Sequence, residues 1–225
     1  MTNHEKIIVG IDEAGRGPVI GPLVICVYAI SMKDIDKLTK LKVKDSKLLS
    51  KKRRDELYSQ LIPIAADYKV KHLSAAEIDE LRKNYTLNII EQRMMLKLAK
   101  DLKTTPSEIY IDAADVNEKR FGGVFETEFS DAKIISKHKA DMLFPVVSAA
   151  SIIAKKERDD AIEKISNKIG EEIGSGYPAD PITREFLRRY YAKNKKFPAY
   201  VRESWDTVNK IKKEFSEKKK LSEYF

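Results

Sequence analysis

IIVGIDEAGRGP, residues 7–18, joins a branched apolar run to two adjacent carboxylates and then to a glycine-rich turn. The run Ile7–Ile11 predicts a buried strand that stops at this turn. Neighbouring side chains of a strand point to opposite faces, so Asp12 and Glu13 can serve one site only where the strand distorts or ends. The glycines of the turn favour such a distortion. The alternative is a polar turn between two strands.

The next apolar run, Pro22–Ile30, predicts the partner strand of a hairpin. Only about ten residues separate the two runs, whereas a parallel crossover normally needs a helix, so we expect antiparallel strands. The single cysteine of the chain, Cys26, lies in this run and excludes an internal disulfide. We expect it to be a small buried apolar side chain, with a reactive thiol as the alternative.

Further along the chain, patterns typical of strands alternate with patterns typical of helices, which predicts a mixed α/β layer. In the predicted helix Thr86–Lys103, apolar residues recur every three or four positions and indicate the face that packs on the core. These residues are Leu87, Ile90, Met94 and Leu98. The other predicted elements are strands at Tyr68–Leu73, Ser107–Ala113 and Lys133–Ser136, an amphipathic helix within Asp45–Ala66, and a closely packed helix at Val146–Ile169. A turn at residues 170–181, rich in glycine and proline, precedes a lysine-rich helical remainder.

The balance of charges favours a polyanionic partner. Lysine and arginine number 43 against 35 acidic residues, giving a formal net charge of +8. The charged fraction of 35% also suits a heat-adapted protein with surface ion pairs and no nucleic acid partner, so charge alone leaves both readings open. No apolar run approaches the ~18 residues of a membrane span, and no cleaved signal is evident. The sequence predicts a soluble cytoplasmic monomer that does not bind membranes.

Two more carboxylates stand where buried elements begin or end. Asp112 follows the alternating strand Ile109–Ile111, and Asp141 precedes the helix predicted to begin near Pro145. An acid before a helix is often only a cap or a dipole partner, which is the alternative for Asp141. The three histidines are scattered and form no zinc-ligand spacing. Several carboxylates without such a cluster favour Mg²⁺ or Mn²⁺ over zinc.

At these residues the sequence resembles ribonuclease HII, in a form similar to the archaeal branch. The resemblance runs from Ile7 to about Trp205 and is carried by seven segments. They are Gly10–Pro22, Asp45–Lys47, Tyr110–Asp112, Lys137–Asp141, Pro145–Lys155, Gly174–Pro181 and Val201–Trp205. The resemblance implies a ribonuclease H-like α/β fold with a central mixed sheet flanked by helices. It divides the chain into a catalytic domain at 1–170, a helical segment at 171–217 that completes the substrate groove, and a tail at 218–225.

The resemblance also implies that Asp12, Glu13, Asp112 and Asp141 are catalytic carboxylates that hold divalent metal. Asp12 is our choice for a ligand shared between two ions, because it terminates the predicted central strand. The expected reaction is hydrolysis of the RNA strand of RNA–DNA hybrids, and nicking of duplex DNA 5′ to a single embedded ribonucleotide. The products would carry 5′-phosphate and 3′-hydroxyl ends. Two alternatives remain: a non-catalytic hybrid-binding protein, and a DNA nuclease of the same fold such as a junction resolvase.

Substrate contacts follow from the same resemblance. It implies that Gly15-Arg16-Gly17 reads the ribose 2′-hydroxyl, which both donates and accepts a hydrogen bond. Tyr177 is expected to pack on the sugar of the next nucleotide, and Lys47 to contact a phosphate. The alternatives are loop packing for Tyr177 and an ordinary solvated lysine for Lys47.

The tail Lys218–Phe225 reads KKKLSEYF. The spacing of Leu221, Tyr224 and Phe225 resembles a peptide that docks on a replication sliding clamp (PCNA). Lys218 stands where such peptides usually have glutamine. A frayed or self-docking tail is the alternative.

Overall fold

The computed structural model describes residues 5–43 and 49–222, with side chains up to residue 217. Five strands form its sheet: β1 (Ile7–Ala14), β2 (Leu23–Ser31), β3 (Asp67–Leu73), β4 (Pro106–Asp112) and β5 (Lys133–Lys137). Its α-helices are α1 (Ile35–Lys40), α2 (Lys51–Leu61), α3 (Ala75–Leu81), α4 (Leu87–Lys100), α5 (Glu118–Glu128), α6 (Ala140–Leu143), α7 (Pro145–Ile169), α8 (Pro181–Asn194) and α9 (Asp206–Ser222). Among the described residues, no helix has both the length and the apolar character needed to cross a bilayer.

The sheet is mixed, with β1 in its centre. Its strand order is β3-β2-β1-β4-β5. β1 pairs antiparallel with β2, which confirms the predicted hairpin, and parallel with β4, which in turn pairs parallel with β5. The carboxyl ends of β1, β4 and β5 therefore lie at one edge of the sheet. The predicted α/β class, a central mixed sheet flanked by helices, is confirmed.

The chain divides into two compact units. The first comprises Met1–Ala14, Val24–His72 and Thr86–Glu157, and the second comprises Gly15–Leu23, Leu73–Tyr85 and Arg158–Phe225. Each unit has an apolar core of its own. The predicted domain boundary at residue 170 follows the end of α7, whereas the units divide that helix between residues 157 and 158.

The core of the first unit depends on a close approach between β1 and α7. A methyl group on Gly10 would lie 2.3 Å from the carbonyl oxygen of Val146 and 2.7 Å from the nitrogen of Val147. Glycine is therefore required in this strand because the backbone of the helix occupies the space of a side chain. Cys26 is fully buried in the same core.

Two features of the fold differ from the sequence prediction. The buried face of α4 is formed by Ile90, Glu91, Met95 and Ala99 and not by the predicted stripe through Met94 and Leu98. A pattern of apolar residues could not include Glu91, a charged side chain that is fully buried. The sequence patterns also did not predict α1, α3, α5 and α6; of these, α1, α3 and α6 have only 6, 7 and 4 residues.

Candidate metal centre and the Gly15–Gly17 loop

Three of the predicted carboxylates meet in the first unit. One oxygen each of Asp12, Asp112 and Asp141 lies within 4.8 Å of the other two. Asp12 is 4% exposed and Asp141 is 2% exposed, while Asp112 is partly exposed. Oxygen ligands at this spacing suit a hard divalent cation.

Sheet topology explains why residues so distant in sequence converge. In the parallel register of β1 and β4, Ile11 lies opposite Ile111, so the carboxylates that follow them are neighbours. On the other side of β4, Asp112 pairs with the last residue of β5, Lys137. Ligand sites commonly form at the carboxyl ends of parallel strands. The carboxylate positions thus follow from the strand order.

Asp141 reaches the cluster through a tight turn after β5. Lys139 has a φ of 55°, the left-handed region, and it starts the short helix α6. The backbone N–H of Ala140 donates to Asp112 Oδ1 at 3.2 Å, and the hydroxyl of Ser148 donates to the carbonyl of Asp141. Asp141 therefore lies in the first turn of α6 and not at the N-terminus of α7.

Glu13 stands beside the cluster. β1 remains regular through Ala14, with Glu13 opposite Ile25, so the distortion considered for this strand is not present. The backbone N–H of Glu13 donates to Asp12 Oδ1 at 2.7 Å. The set of three converging carboxylates does not include Glu13, and its role as a metal ligand stays a prediction.

The electrostatics of the cluster favour a bound cation. Burial raises the pKa of Asp12 well above its usual range, and the negative charges of Glu13 and Asp112 raise it further. A hydrogen bond from Ser151 and the ammonium of Lys155 oppose this rise. Buried carboxylates that repel one another are stabilised as anions by a nearby positive charge. The donor set thus fits a divalent metal in both chemistry and charge.

Ser151 and Lys155 are functional candidates that the sequence analysis did not identify. They are four residues apart in α7 and thus share one helix face. Lys155 Nζ lies 2.9 Å from Ser151 Oγ and 4.0 Å from Asp141 Oδ2. Their sequence signals were this spacing on the helix that follows Asp141 and their place in the matching segment Pro145–Lys155.

In the second unit, the structure brings Gly15-Arg16-Gly17 and Tyr177 together. A methyl group on Gly17 would lie 3.5 Å from Tyr177 Cε1, so the ring borders the backbone of Gly17. The two loops are joined because Val19 and Ile20 both donate their N–H to the carbonyl of Gly176. Tyr177 is 41% exposed, which leaves part of its ring accessible to a ligand.

The turn that carries Tyr177 is held from both sides. Asp180 Oδ2 accepts hydrogen bonds from the N–H and hydroxyl of Ser175 at 2.6 and 2.7 Å, and Oδ1 accepts from the N–H of Ile182, the second residue of α8. These bonds, first of all the backbone bond from Ser175, lower the pKa of Asp180 to about 2. The guanidinium of Arg158 donates to the carbonyl of Ser175 and lies 5.2 Å from the ring centroid of Tyr177. Tyr177 is thus fixed mainly by contacts to its neighbours.

The remaining predicted site residues fall outside the described part. Lys47, Tyr224 and Phe225 are not among the described residues, and only the backbone of Leu221, within α9, is described.

Comparisons with known proteins agree with this architecture. The ribonuclease HII family model matches residues 9–208. The ribonuclease HII of Thermococcus sibiricus is 49% identical over 95% of this chain and 94% of its own length. The crystal structure of the ribonuclease H2 from Pyrococcus horikoshii OT3 superposes with a TM-score of 0.88 at 45% identity, covering 93% of this chain and 99% of that one. A PCNA:RNase HII complex from Archaeoglobus fulgidus gives a TM-score of 0.82 at 41% identity, covering 91% and 96%.

Proposed function

The chain belongs to the ribonuclease HII family, and we propose that it hydrolyses the RNA strand of RNA–DNA hybrids and nicks duplex DNA 5′ to a single embedded ribonucleotide. The products would be 5′-phosphate and 3′-hydroxyl ends. The observation that carries the proposal is the convergence of Asp12, Asp112 and Asp141 within 4.8 Å at the carboxyl end of the central strands.

Asp12, Asp112 and Asp141, with Glu13 beside them, would hold Mg²⁺ or Mn²⁺, and a cation held there would supply an activated water and stabilise negative charge on the departing 3′ oxygen. Asp12 is the best candidate for a shared ligand because it ends the apolar part of the central strand. The burial of Asp12 and Asp141 excludes water from the carboxylates and strengthens their interaction with a cation. No side-chain nucleophile is needed.

Lys155 and Ser151 would favour the ionised form of Asp12 and orient the cluster. The Lys155 ammonium lies 4.0 Å from the Asp141 carboxylate and offsets part of the repulsion among the three acids. Ser151 donates a hydrogen bond to Asp12 and accepts one from Lys155. Asp12 and Asp141 are therefore both in contact with the same face of α7. The two side chains would thereby limit the rearrangement needed when a cation binds.

Ribose recognition would come from the second unit. The backbone of Gly17 is exposed, and a polar group of the chain can approach a 2′-hydroxyl closely only where no side chain intervenes. The neighbouring ring of Tyr177 offers a flat, partly exposed surface for the adjacent sugar. Arg16 and Lys47 would contact phosphates, which position a nucleic acid without reading its sequence.

The function is tested by comparing three duplexes of one sequence in Mg²⁺ or Mn²⁺: an RNA–DNA hybrid, a DNA duplex with one ribonucleotide, and DNA alone. We expect cleavage of the first two, and a nick 5′ to the ribonucleotide in the second. Equal cutting of DNA alone would favour the alternative of a DNA nuclease. Tight hybrid binding without any cleavage would favour the hybrid-binding protein.

Binding to a sliding clamp is a second, separate proposal about the tail. The Archaeoglobus fulgidus relative was solved as a complex with PCNA, and the spacing of Leu221, Tyr224 and Phe225 in this chain resembles that of a clamp-docking peptide. Deletion of residues 221–225 should weaken binding to PCNA and leave cleavage of a free hybrid unchanged. Lys218→Gln, which restores the usual residue, should tighten binding. Unchanged PCNA affinity in both variants would refute this proposal.

A further inference from the structure

Arg202 is a fully buried cation in the segment between α8 and α9. Its guanidinium donates from Nε to the carbonyl of Gly21 at 3.0 Å, from Nη1 to that of Arg16 at 3.1 Å, and from Nη2 to that of Gly15 at 2.7 Å. A buried charge is tolerated only when it is well hydrogen-bonded. Residues 15–21 thus supply the three carbonyl oxygens that bind the buried guanidinium of Arg202.

Trp205 holds the same loop at a fourth carbonyl. Its indole Nε1 donates to the oxygen of Gly17 at 3.1 Å. The guanidinium carbons of Arg82 and Arg202 each lie 4.8 Å from the centroid of the tryptophan rings, a distance typical of cation–π contact. Trp205 is therefore itself held in place, and it can fix the position of Gly17.

The backbone preceding Trp205 is also fixed. Both oxygens of the Asp79 carboxylate accept backbone N–H bonds, one from Glu203 at 2.7 Å and the other from Ser204 at 3.0 Å. The hydroxyl of Ser204 adds a bond of 2.6 Å to Asp79. Arg202 and Trp205 thus project from a segment that has little freedom to move.

The geometry of the peptide bond determines where the N–H groups next to these carbonyls point. In a planar trans peptide the carbonyl and the N–H point in opposite directions. Because Arg202 binds the carbonyls of Gly15 and Arg16, the N–H groups of Arg16 and Gly17 point away from it. The carbonyls of Gly17 and Gly21 precede Pro18 and Pro22, which have no N–H. Of the four held peptides, only the two within Gly15-Arg16-Gly17 present a donor.

We propose that Arg202 and Trp205 are positioning residues for ribose recognition: they orient the N–H groups of Arg16 and Gly17 toward the 2′-hydroxyl. This inference rests on the function proposed above. The planar guanidinium is required because three carbonyls must be held in a fixed geometry, which the single point charge of a lysine does not reproduce. Arg202 acts from a buried position, through the loop, and does not itself touch the substrate.

The test uses the metal-loaded enzyme and two duplexes of one sequence. The KM and kcat are measured for DNA with one ribonucleotide, and the Ki is measured for the all-DNA duplex as a competitive inhibitor. The ratio of Ki to KM then reports discrimination for ribose. Loss of one well-aligned hydrogen bond corresponds to about a tenfold change, so Arg202→Lys should lower this ratio about tenfold. The Ki for DNA should stay unchanged, because phosphate contacts are untouched.

Trp205→Phe provides a second variant in case Arg202→Lys does not fold. It removes the indole N–H together with one ring of the indole, keeps an aromatic ring beside the two arginines, and should lower the ratio about threefold. Arg188→Lys is the matched control, because the guanidinium of Arg188 binds Glu214 at 3.0 and 3.1 Å and makes none of the described bonds to residues 15–21. This control variant should have the same ratio of Ki to KM as the unmodified protein.

The outcomes separate this inference from the proposed function. An unmodified protein with equal KM and Ki would refute ribose recognition and, with it, this inference. A ribose preference that persists in both variants would refute the inference alone. Equal losses of affinity for both duplexes would show a purely structural role for Arg202 and Trp205, and would also refute it.

Discussion

The two compact units build their candidate sites in different ways. In the first unit, Asp12 and Asp112 stand at the ends of paired strands, so the sheet itself sets the distance between their carboxylates. In the second unit, residues 15–21 form no strand or helix beyond a single bridge at Ile20, and their shape depends on side chains such as Arg202. The proposed metal ligands thus come from regular strands, whereas the proposed ribose recognition uses loops held by individual hydrogen bonds.

The largest expected effect is in the first unit. Asp112→Asn should lower cleavage roughly a thousandfold, because a neutral amide weakens both metal binding and the stabilisation of transition-state charge. The affinity for Mn²⁺, measured by calorimetry, should fall with it, while hybrid binding should be retained. Cleavage at the original rate would remove Asp112 from the metal site.

Asp115→Asn is the matched control for that variant. Asp115 follows β4 by three residues, but its carboxylate accepts from the Arg120 guanidinium at 2.6 and 2.7 Å and does not belong to the cluster. Hydrogen bonds from the Asn117 N–H and from Arg120 lower its pKa to about 2. We expect Asp115→Asn to affect thermal stability and to leave Mn²⁺ affinity unchanged. An equal loss of Mn²⁺ affinity would mean that the overall negative charge of this region, and not the geometry of the three carboxylates, binds the ion.

A pair of glycine substitutions should have smaller effects in the second unit. Gly15 has a φ of 87°, and a methyl group there would lie 2.6 Å from the carbonyl oxygen of Pro22, so Gly15→Ala should destabilise the protein by about 1–3 kcal/mol. At Gly17 the nearest atom is a ring carbon of Tyr177 at 3.5 Å, an ordinary contact. Gly17→Ala should therefore change stability by less than about 0.5 kcal/mol.

The same pair distinguishes folding from recognition. Because Gly17 is exposed and borders Tyr177, Gly17→Ala should raise the KM for a one-ribonucleotide duplex while its Tm stays close to that of the unmodified protein. Chemical denaturation and steady-state kinetics measure the two effects. If Gly17→Ala retains the original KM, the ribose does not approach this backbone.

The difference between the units also explains what the sequence could predict. Asp12 and Asp112 each follow an apolar strand, so local patterns indicated where both carboxylates lie. The position of Asp141 could not be predicted in the same way, because it depends on the left-handed turn at Lys139 and on the four-residue helix α6, neither of which has a periodic signal. The resemblance to ribonuclease HII predicted Asp141 as a metal ligand, whereas the local pattern did not distinguish a ligand from a helix cap.

Long-range contacts of the second unit were beyond sequence reasoning. Arg202 binds the carbonyls of Arg16 and Gly15, which are 186 and 187 positions earlier in the chain. Backbone carbonyls are present at every residue, so no residue type marks the ones that a distant arginine will hold. The motif at Val201–Trp205 could be recognised as a matching segment, but its contacts required the folded structure.

The smallest expected effect concerns the turn that carries Tyr177, and it depends on pH. Hydrogen bonds from Ser175 lower the folded-state pKa of Asp180 to about 2, below the ~3.9 of an unfolded chain. A lowered carboxyl pKa contributes stability above the unfolded value and loses that contribution as pH falls through the folded value. The free energy of unfolding of Asp180→Asn should therefore lie below that of the unmodified protein at neutral pH, because an amide has a single acceptor oxygen for the Ser175 and Ile182 bonds. Denaturant titrations should show this gap narrowing as pH falls from about 4 to about 2, whereas a gap independent of pH would mean that the ionised carboxylate does not hold the turn.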